Sequence, residues 1–443
     1  MRVLVVGINY APDLIGVAKY TTELCEGLAA RGHDLRVITA PPYYPDWRIP
    51  AQYRSRWYRN ETLGDVAVTR APIYVPERPS GGKRLLHHAS YLLSISLPLL
   101  SAVALWRPDI VLAVAPSLLS ASAAVLAART FGAKSWLHIQ DLEVDAAFEL
   151  GLLKNRALRK TMLGVERMIL GAFDRVSTIS PQMVQRLEQK GLRADRLREL
   201  RNWVDTSVIV PGSEQTAFRT SLGLKPTDIV ALYSGTMSNK QGLELVLEAA
   251  AATRDEHPEI HYVLCGNGPH KAKLVQAADG QGNVHFIDLQ PAERLSELLN
   301  TADIHLLPQQ ARAADLVMPS KLSGMLASGR PIIAMADPGT GIADEVSGAG
   351  LIVRPGDARA LADSVTALAG NHALRVQFGV AARLRAEQKW DRLAIVRSFE
   401  HEFALLSVSG KLSRESVATR PAVTSPINGG RMQSRRLPSS LQI

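Results

Sequence analysis

Cysteine is nearly absent from this sequence: Cys25 and Cys265 are the only two in 443 residues, far apart and without metal-ligand spacing. That excludes a disulfide-built scaffold, leaves no expected metal site, and fits a reducing compartment. Aromatics are scarce too, at 5% of the chain, and they form no base-stacking pattern, so a nucleic-acid surface is not expected. The beginning of the chain shows no basic segment followed by an apolar run of about 7–15 residues and a small-residue cleavage site. Met1 leads at once into Val3-Leu4-Val5-Val6, so export is not expected and the cytoplasm is. Also missing is the dinucleotide fingerprint of three closely spaced glycines, which disfavours a nicotinamide dehydrogenase.

What remains is the composition of a globular protein, 46% hydrophobic and 21% charged, with a length that favours two core-forming domains. The net charge of +9 is unevenly spread. Residues 1–205 carry 27 Lys+Arg against 19 Asp+Glu, residues 206–408 carry 18 against 22, and residues 409–443 carry 6 against 1, that is +8, −4 and +5. A basic first half suits contact with an anion, either phospholipid head groups or an acidic acceptor.

Short apolar runs alternate with amphipathic stretches, which predicts parallel sheets covered by helices. In the first half Val3–Val6, Leu35–Ile38, Ile110–Ala115 and Ser135–Ile139 read as strands, and Tyr20–Arg31 and Ser117–Thr130 as helices. The rhythm restarts with Ile229–Tyr233, His261–Leu264, Val284–Ile287, Ile304–Leu307, Pro331–Ala334 and Leu351–Val353. Two doubly wound α/β domains are expected, over residues 1–205 and 206–372, joined near Asp205–Glu214. A long charged helix over 373–408 closes the chain by crossing back to the first domain, and 409–443, rich in Ser, Arg, Pro and Gly, is expected to be disordered. The uncharged stretch Ala89–Trp106 is interrupted by four serines and Pro98. It is expected to be a buried or surface-lying helix rather than a membrane span; Arg54, Arg56, Arg59, Lys83 and Arg84 nearby suit a helix resting on anionic lipid.

Several strand-to-helix loops carry residues suited to a diphosphate. Gly7-Ile8-Asn9-Tyr10-Ala11-Pro12 and Gly16 lie between the first strand and a helix, where free N–H groups and the helix dipole favour an anion. In the second half Ser234-Gly235-Thr236 and Lys240-Gln241-Gly242 follow the first strand, and an ammonium there can offset the charge of a leaving diphosphate. Met318-Pro319-Ser320-Lys321 opens a helix whose first N–H groups are free for phosphate oxygens. Gly266-Asn267-Gly268-Pro269 ends another strand and can lie against a base or ribose, or serve as a plain tight turn.

This order of features resembles the family 4 glycosyltransferases of GT-B fold over about residues 1–400. Gly-Ile-Asn-Tyr-x-Pro at the start, Ile38-Thr39-Ala40-Pro41-Pro42-Tyr43-Tyr44-Pro45, His138-Ile139-Gln140-Asp141 with Glu143-Val144-Asp145, and Pro319-Ser320-Lys321-Leu322 are similar to the colanic acid biosynthesis glycosyltransferases of bacteria. The resemblance implies two Rossmann-like domains facing a cleft, an acceptor domain first and a nucleotide-sugar domain second. It implies transfer with retention, without cofactor or metal, of fucose or a related deoxysugar from a GDP- or UDP-sugar to a lipid-diphosphate-linked oligosaccharide, at the inner face of the plasma membrane. The donor contacts it implies are Gly16, Gly235, Lys240, Asn267, Gly268, Asp315, Pro319, Ser320 and Lys321, with Asp141 and His138 as competing groups near the sugar. Three departures stand out: Leu316 and Gly324 occupy positions where many members carry glutamates, Thr236 stands near the place of an arginine, and Gln140-Asp141 replaces a His-Asp pair. The missing glutamates keep open a non-catalytic nucleotide-sugar-binding subunit, and the architecture also suits a sugar-nucleotide epimerase.

Overall fold

The computed structural model describes residues 1–13, 16–78, 80–142, 156–309 and 318–418, with side chains for all of these except 156–159, 240 and 409–418. Leu316 and Asp315 lie outside the described residues.

The first sheet has eight strands: β1 (Arg2–Gly7), β2 (Asp34–Thr39), β3 (Arg59–Leu63), β4 (Val66–Arg70), β5 (Ile110–Val114), β6 (Lys134–Ile139), β7 (Arg175–Thr178) and β8 (Leu197–Glu199). Their order is β3-β4-β2-β1-β5-β6-β7-β8. All neighbours are parallel except β3 and β4, a hairpin turning at Gly64 with φ +57. Strands β1 and β5 are apolar and buried almost throughout, as central parallel strands covered on both faces must be.

The second sheet is wholly parallel: β9 (Ile229–Ser234), β10 (Ile260–Cys265), β11 (Val284–Ile287), β12 (Ile304–Leu307), β13 (Ile332–Met335) and β14 (Gly350–Val353), in the order β11-β10-β9-β12-β13-β14. The order reverses beside β9, so the loops after β9 and β12 open a crevice at the carboxyl edge of the sheet, the usual ligand position in such folds. Both cysteines are buried and free, and burial raises their thiols to about 12 for Cys25 and about 11 for Cys265.

Two helices replace the single one expected over 373–408. His372–Lys389 begins at Asn371, whose side chain caps Leu374 N at 2.9 Å, and packs Ala382 and Ala386 into the second domain. At Trp390 the helix ends, and Asp391 starts the next by accepting from Ala394 N at 2.9 Å. The second helix, Arg392–Ala418, lies on the first domain, so the boundary expected at Ser409 falls inside a helix. Its Ile395, Val396, Phe399, Phe403 and Leu406 recur at helical spacing and pack with Trp136, Leu24 and Leu28 on one face of the first sheet.

The chain passes between the domains twice, and the passages bond to each other. Val204 N donates to Trp390 O at 2.9 Å, and Arg392 N donates to Val204 O at 3.0 Å. Beside them Arg201 reaches Glu345 of the second domain at 2.6 Å, and Trp390 Nε1 donates to the same carboxylate at 3.2 Å.

Phe399 is fully buried and stacks on Trp136 at a centroid distance of 5.9 Å. Phe399→Ala should therefore cost roughly 3–5 kcal/mol in urea unfolding; a loss below about 1 kcal/mol would show that the crossing helix adds little to the first domain's core.

Candidate active site

Glycines set the floor of the crevice. Gly235, Gly266 and Gly268 have φ of +145, +146 and +155. A Cβ on Gly266 would lie 1.9 Å from Gly235 O, and one on Gly268 would lie 2.3 Å from Met237 O. These glycines let the loops after β9 and β10 touch backbone to backbone, where Gly235 N donates to Cys265 O and Met237 N to Asn267 O, each at 2.9 Å. The Asn267 side chain is exposed and accepts from Lys271 Nζ at 3.0 Å. The Gly-x-Gly pattern is thus required by loop packing, whatever else it contacts.

Lys240 sits in the 3₁₀ turn Asn239–Gln241, which Gly242 ends with φ +63. The next residue, Gln241, accepts a hydrogen bond from Lys321 Nζ at 3.0 Å. The same ammonium lies 4.2 Å from the centroid of the Tyr233 ring, and its stem passes Gly235. Burial lowers the pKa of Lys321 to about 7; Gln241 and the aromatic face hold the ammonium without neutralising it. Pro319 and Ser320 open the short helix Lys321–Ala327, and exposed Ser320 has helical backbone angles with no side-chain cap. The structure thus gathers Gly235, Pro319, Ser320, Lys321 and the turn bearing Lys240.

The first domain meets this group directly. Gly16, exposed at φ +61, precedes the helix Val17–Ala29, and Tyr20 one turn later is buried against Trp203 at 5.3 Å. Burial first, then Glu23, raise the Tyr20 phenol, while a hydrogen bond with the Ser320 side chain draws it back. Gln182 Oε1 is 2.8 Å from where a Cβ on Gly341 would stand, a second close approach between domains.

His138 and Asp141 differ. His138 is buried, its Nδ1 is 2.8 Å from Ser177 Oγ, and its ring lies edge-on to Phe399 of the crossing helix at 5.3 Å. Burial lowers its pKa to about 4. His138 is therefore packed in the core between Ser177 and Phe399, while Asp141 is the member of the pair at the end of the strand. Asp141 follows β6 on the cleft side; burial raises its pKa, and no cation among the described residues pairs with it.

Gly324, one of the positions where a glutamate is absent, faces the core: a Cβ there would meet Leu299 Cδ1 at 3.3 Å.

One carboxyl went unnoticed in the sequence. Asp13 closes the loop after β1, where burial raises its pKa to about 6 against hydrogen bonds from the Asn9 side chain and the Tyr43 and Tyr44 backbone. Its Oδ2 is buried without a partner. Below it, buried Arg70 ties the two loops together, donating to Ala11 O at 2.5 Å and Ala40 O at 3.1 Å and pairing with Glu61 at 2.5 Å. Only a Pro-Asp pair inside a strand-to-helix loop could have signalled it.

This geometry agrees with what the chain is similar to. Residues 16–203 match the Glycosyl transferase 4-like domain, and residues 214–385 match Glycosyl transferases group 1. WcaI of Escherichia coli K12, assigned to colanic acid biosynthesis as a glycosyl transferase, is 38% identical over 409 residues, covering 90% of this chain and 98% of that protein. The chain belongs to the group 1 glycosyltransferases. Solved structures carry the same GT-B fold. Sucrose-phosphate synthase of Thermosynechococcus elongatus superposes with a TM-score of 0.69 at 20% identity, covering 95% of this chain and 100% of that one. Anabaena HepE in complex with UDP superposes with a TM-score of 0.67 at 15% identity, covering 91% and 100%.

Asp13 gives a pH test. Because its pKa rises from 3.8 unfolded to about 6 folded, the native state holds the proton more tightly. Its contribution to stability therefore falls as pH rises between those values and is level above them. Asp13→Asn should gain on wild type in urea midpoint as pH goes from about 4 to about 6.5; a difference independent of pH would overturn the assignment.

Proposed function

We propose that this glycosyltransferase moves a sugar, fucose or a related deoxysugar, from a GDP- or UDP-sugar to a lipid-diphosphate-linked oligosaccharide in exopolysaccharide synthesis, with retention. The work takes place on the cytoplasmic side of the membrane. The observation that carries this reading is Lys321: an ammonium held by Gln241 and Tyr233 beside the first turn of a helix, opposite the first domain. A diphosphate at this point would meet Lys321, the N–H groups of Ser320 and Lys321, and the loop bearing Lys240, with Gly16 at its edge. Similarity to WcaI over nearly the whole chain supports the polysaccharide context, and HepE, crystallised with UDP, supports including UDP among the donors to test.

Retention follows in this proposal from attack on the face that the diphosphate leaves, with the leaving phosphate taking the acceptor's proton. No cofactor or metal enters the scheme. The enzyme then contributes by stabilising the departing charge and aligning the acceptor. Asp13 and Asp141 line the acceptor side, where a carboxylate can orient a sugar hydroxyl. A non-catalytic nucleotide-sugar-binding subunit is the second reading, favoured by Leu316 and Gly324 where glutamates are common.

A thermal-shift panel of GDP, UDP, ADP and dTDP tests the donor site. One nucleotide should stabilise the native state by about 2.7 kcal/mol at a hundredfold excess over Kd, and Lys321→Met should abolish the shift. Binding above pH 7 should also take up a proton, because a diphosphate raises the pKa of Lys321 from about 7; calorimetry in buffers of different ionisation enthalpy reads this uptake, and its absence would rule Lys321 out.

Lys240→Ala should lower turnover a few hundredfold, on the order of 3–4 kcal/mol. Turnover within about threefold of wild type would remove Lys240 from the mechanism, and a nucleotide shift without any transfer would favour the non-catalytic reading.

A further inference from the structure

The helix Gly81–Ser101, continued as a wider turn over Ala102–Trp106, gives the first domain a surface that its own core does not use. Spaced four apart, His87, Tyr91, Ile95, Leu99 and Val103 are at most 1% exposed and face the sheet. Tyr91 donates to Gly7 O and Ile38 O, at 2.8 and 3.1 Å, at the ends of β1 and β2. With one face fixed there, the helix does not cross a bilayer. The opposite face is different: Leu86, Leu93, Leu97 and Leu100 are 55, 75, 67 and 50% exposed. At 100° per residue these four fall within an arc of about 60°, so they make one stripe. Leu85 and Leu105, at the two ends of the helix, flank it at 63 and 81% exposure.

Basic charge borders the stripe. Between Arg48 and Arg107 the sequence holds nine Lys+Arg against three Asp+Glu. Arg54, Arg56, Lys83 and Arg84 are all exposed, and none pairs with a carboxylate among the described residues. The loop carrying Arg54, Arg56 and the 80% exposed Trp57 is fastened to the helix, for the Tyr58 hydroxyl donates to Ser94 O at 2.6 Å. A leucine face with an adjoining tryptophan and unpaired cations is the pattern of a helix lying in the plane of an anionic membrane surface.

We propose that this face docks on an anionic bilayer, leucines in the acyl boundary and cations among the head groups. The charge argues for lipid over a second copy of the chain, since two such basic faces would repel. The helix also meets the loop that adjoins Asp13: the His87 ring is 4.8 Å from Tyr43 and 5.4 Å from Trp47. Docking here brings the acceptor loop beside the membrane from which a lipid-linked acceptor rises. That orientation rests on the acceptor proposed above; the lipid contact does not.

The experiment is co-sedimentation of the full chain with vesicles of phosphatidylethanolamine plus phosphatidylglycerol, against vesicles of phosphatidylcholine alone. Binding should favour the anionic vesicles and weaken with salt. Leu93→Glu with Leu97→Glu should lower the partition about tenfold or more, while the nucleotide-induced shift in melting temperature persists and shows an intact fold. Arg54→Ser with Arg56→Ser, Lys83→Ser and Arg84→Ser should abolish the lipid preference. Wild-type chain left in the supernatant, or a leucine variant that binds as well as wild type, would overturn the proposal. A dimer in solution that the leucine variant dissolves would assign the face to a second copy instead.

Discussion

Everything in this structure depends on the paired passage of the chain between its two sheets. Val204 leaves the first domain and Trp390–Arg392 returns to it, and the two passages bond to each other at 2.9 and 3.0 Å. A single linker would let the sheets swing freely; two joined linkers confine motion to one hinge. Arg201 and Glu345 close across that hinge at 2.6 Å, largely out of solvent. A desolvated pair of this kind adds little net stability, yet losing one partner is costly because the other charge is left buried. Its effect is to fix the position at which the carboxyl edges face each other, which sets where Tyr20 finds Ser320.

Given that frame, the second domain builds its site mostly from backbone. The loops after β9 and β10 approach so closely that side chains at Gly266 or Gly268 would collide with carbonyl oxygens. Such a floor is rigid and offers peptide groups rather than charges. The described charge beside it is the Lys321 ammonium, held at Gln241 and the Tyr233 ring. The division suits a phosphate ligand, since fixed N–H groups orient oxygens while an ammonium responds to their charge.

The sheets were legible in the sequence because parallel strands buried on both faces read as unbroken apolar runs, and all six strands of the second domain were found that way. The hairpin of β3 and β4 was not: Arg59–Leu63 is largely polar because it is an outer edge, so periodicity is weak there. The break at Trp390–Asp391 had a local signal, an aspartate able to cap a new helix, outweighed by the charged helical pattern on both sides. That Gly235, the turn bearing Lys240 and Lys321 lie on loops of one sheet was legible, because each follows a strand that reads as an apolar run. The packing of His138 was not legible because its environment, Ser177 and Phe399, comes from residues distant in sequence. Asp13 and Gln241 were missed for the same reason: each acquires its character from a loop folded against it.

Lys321 shows how such a site can be kept in readiness. A lysine fully neutralised by a buried carboxylate would resist a second anion, and one in open solvent would interact with it weakly. Here burial draws the pKa to about 7, so near neutrality the group is divided between its two forms, and Gln241 and Tyr233 position the ammonium without cancelling it. In the proposed reaction an arriving diphosphate would complete the charging, and its attraction would be greatest when bond cleavage concentrates negative charge on the phosphate oxygens. On that proposal the free energy withheld from the fold would be delivered to the transition state, the place where it raises the rate rather than merely tightening the ground state.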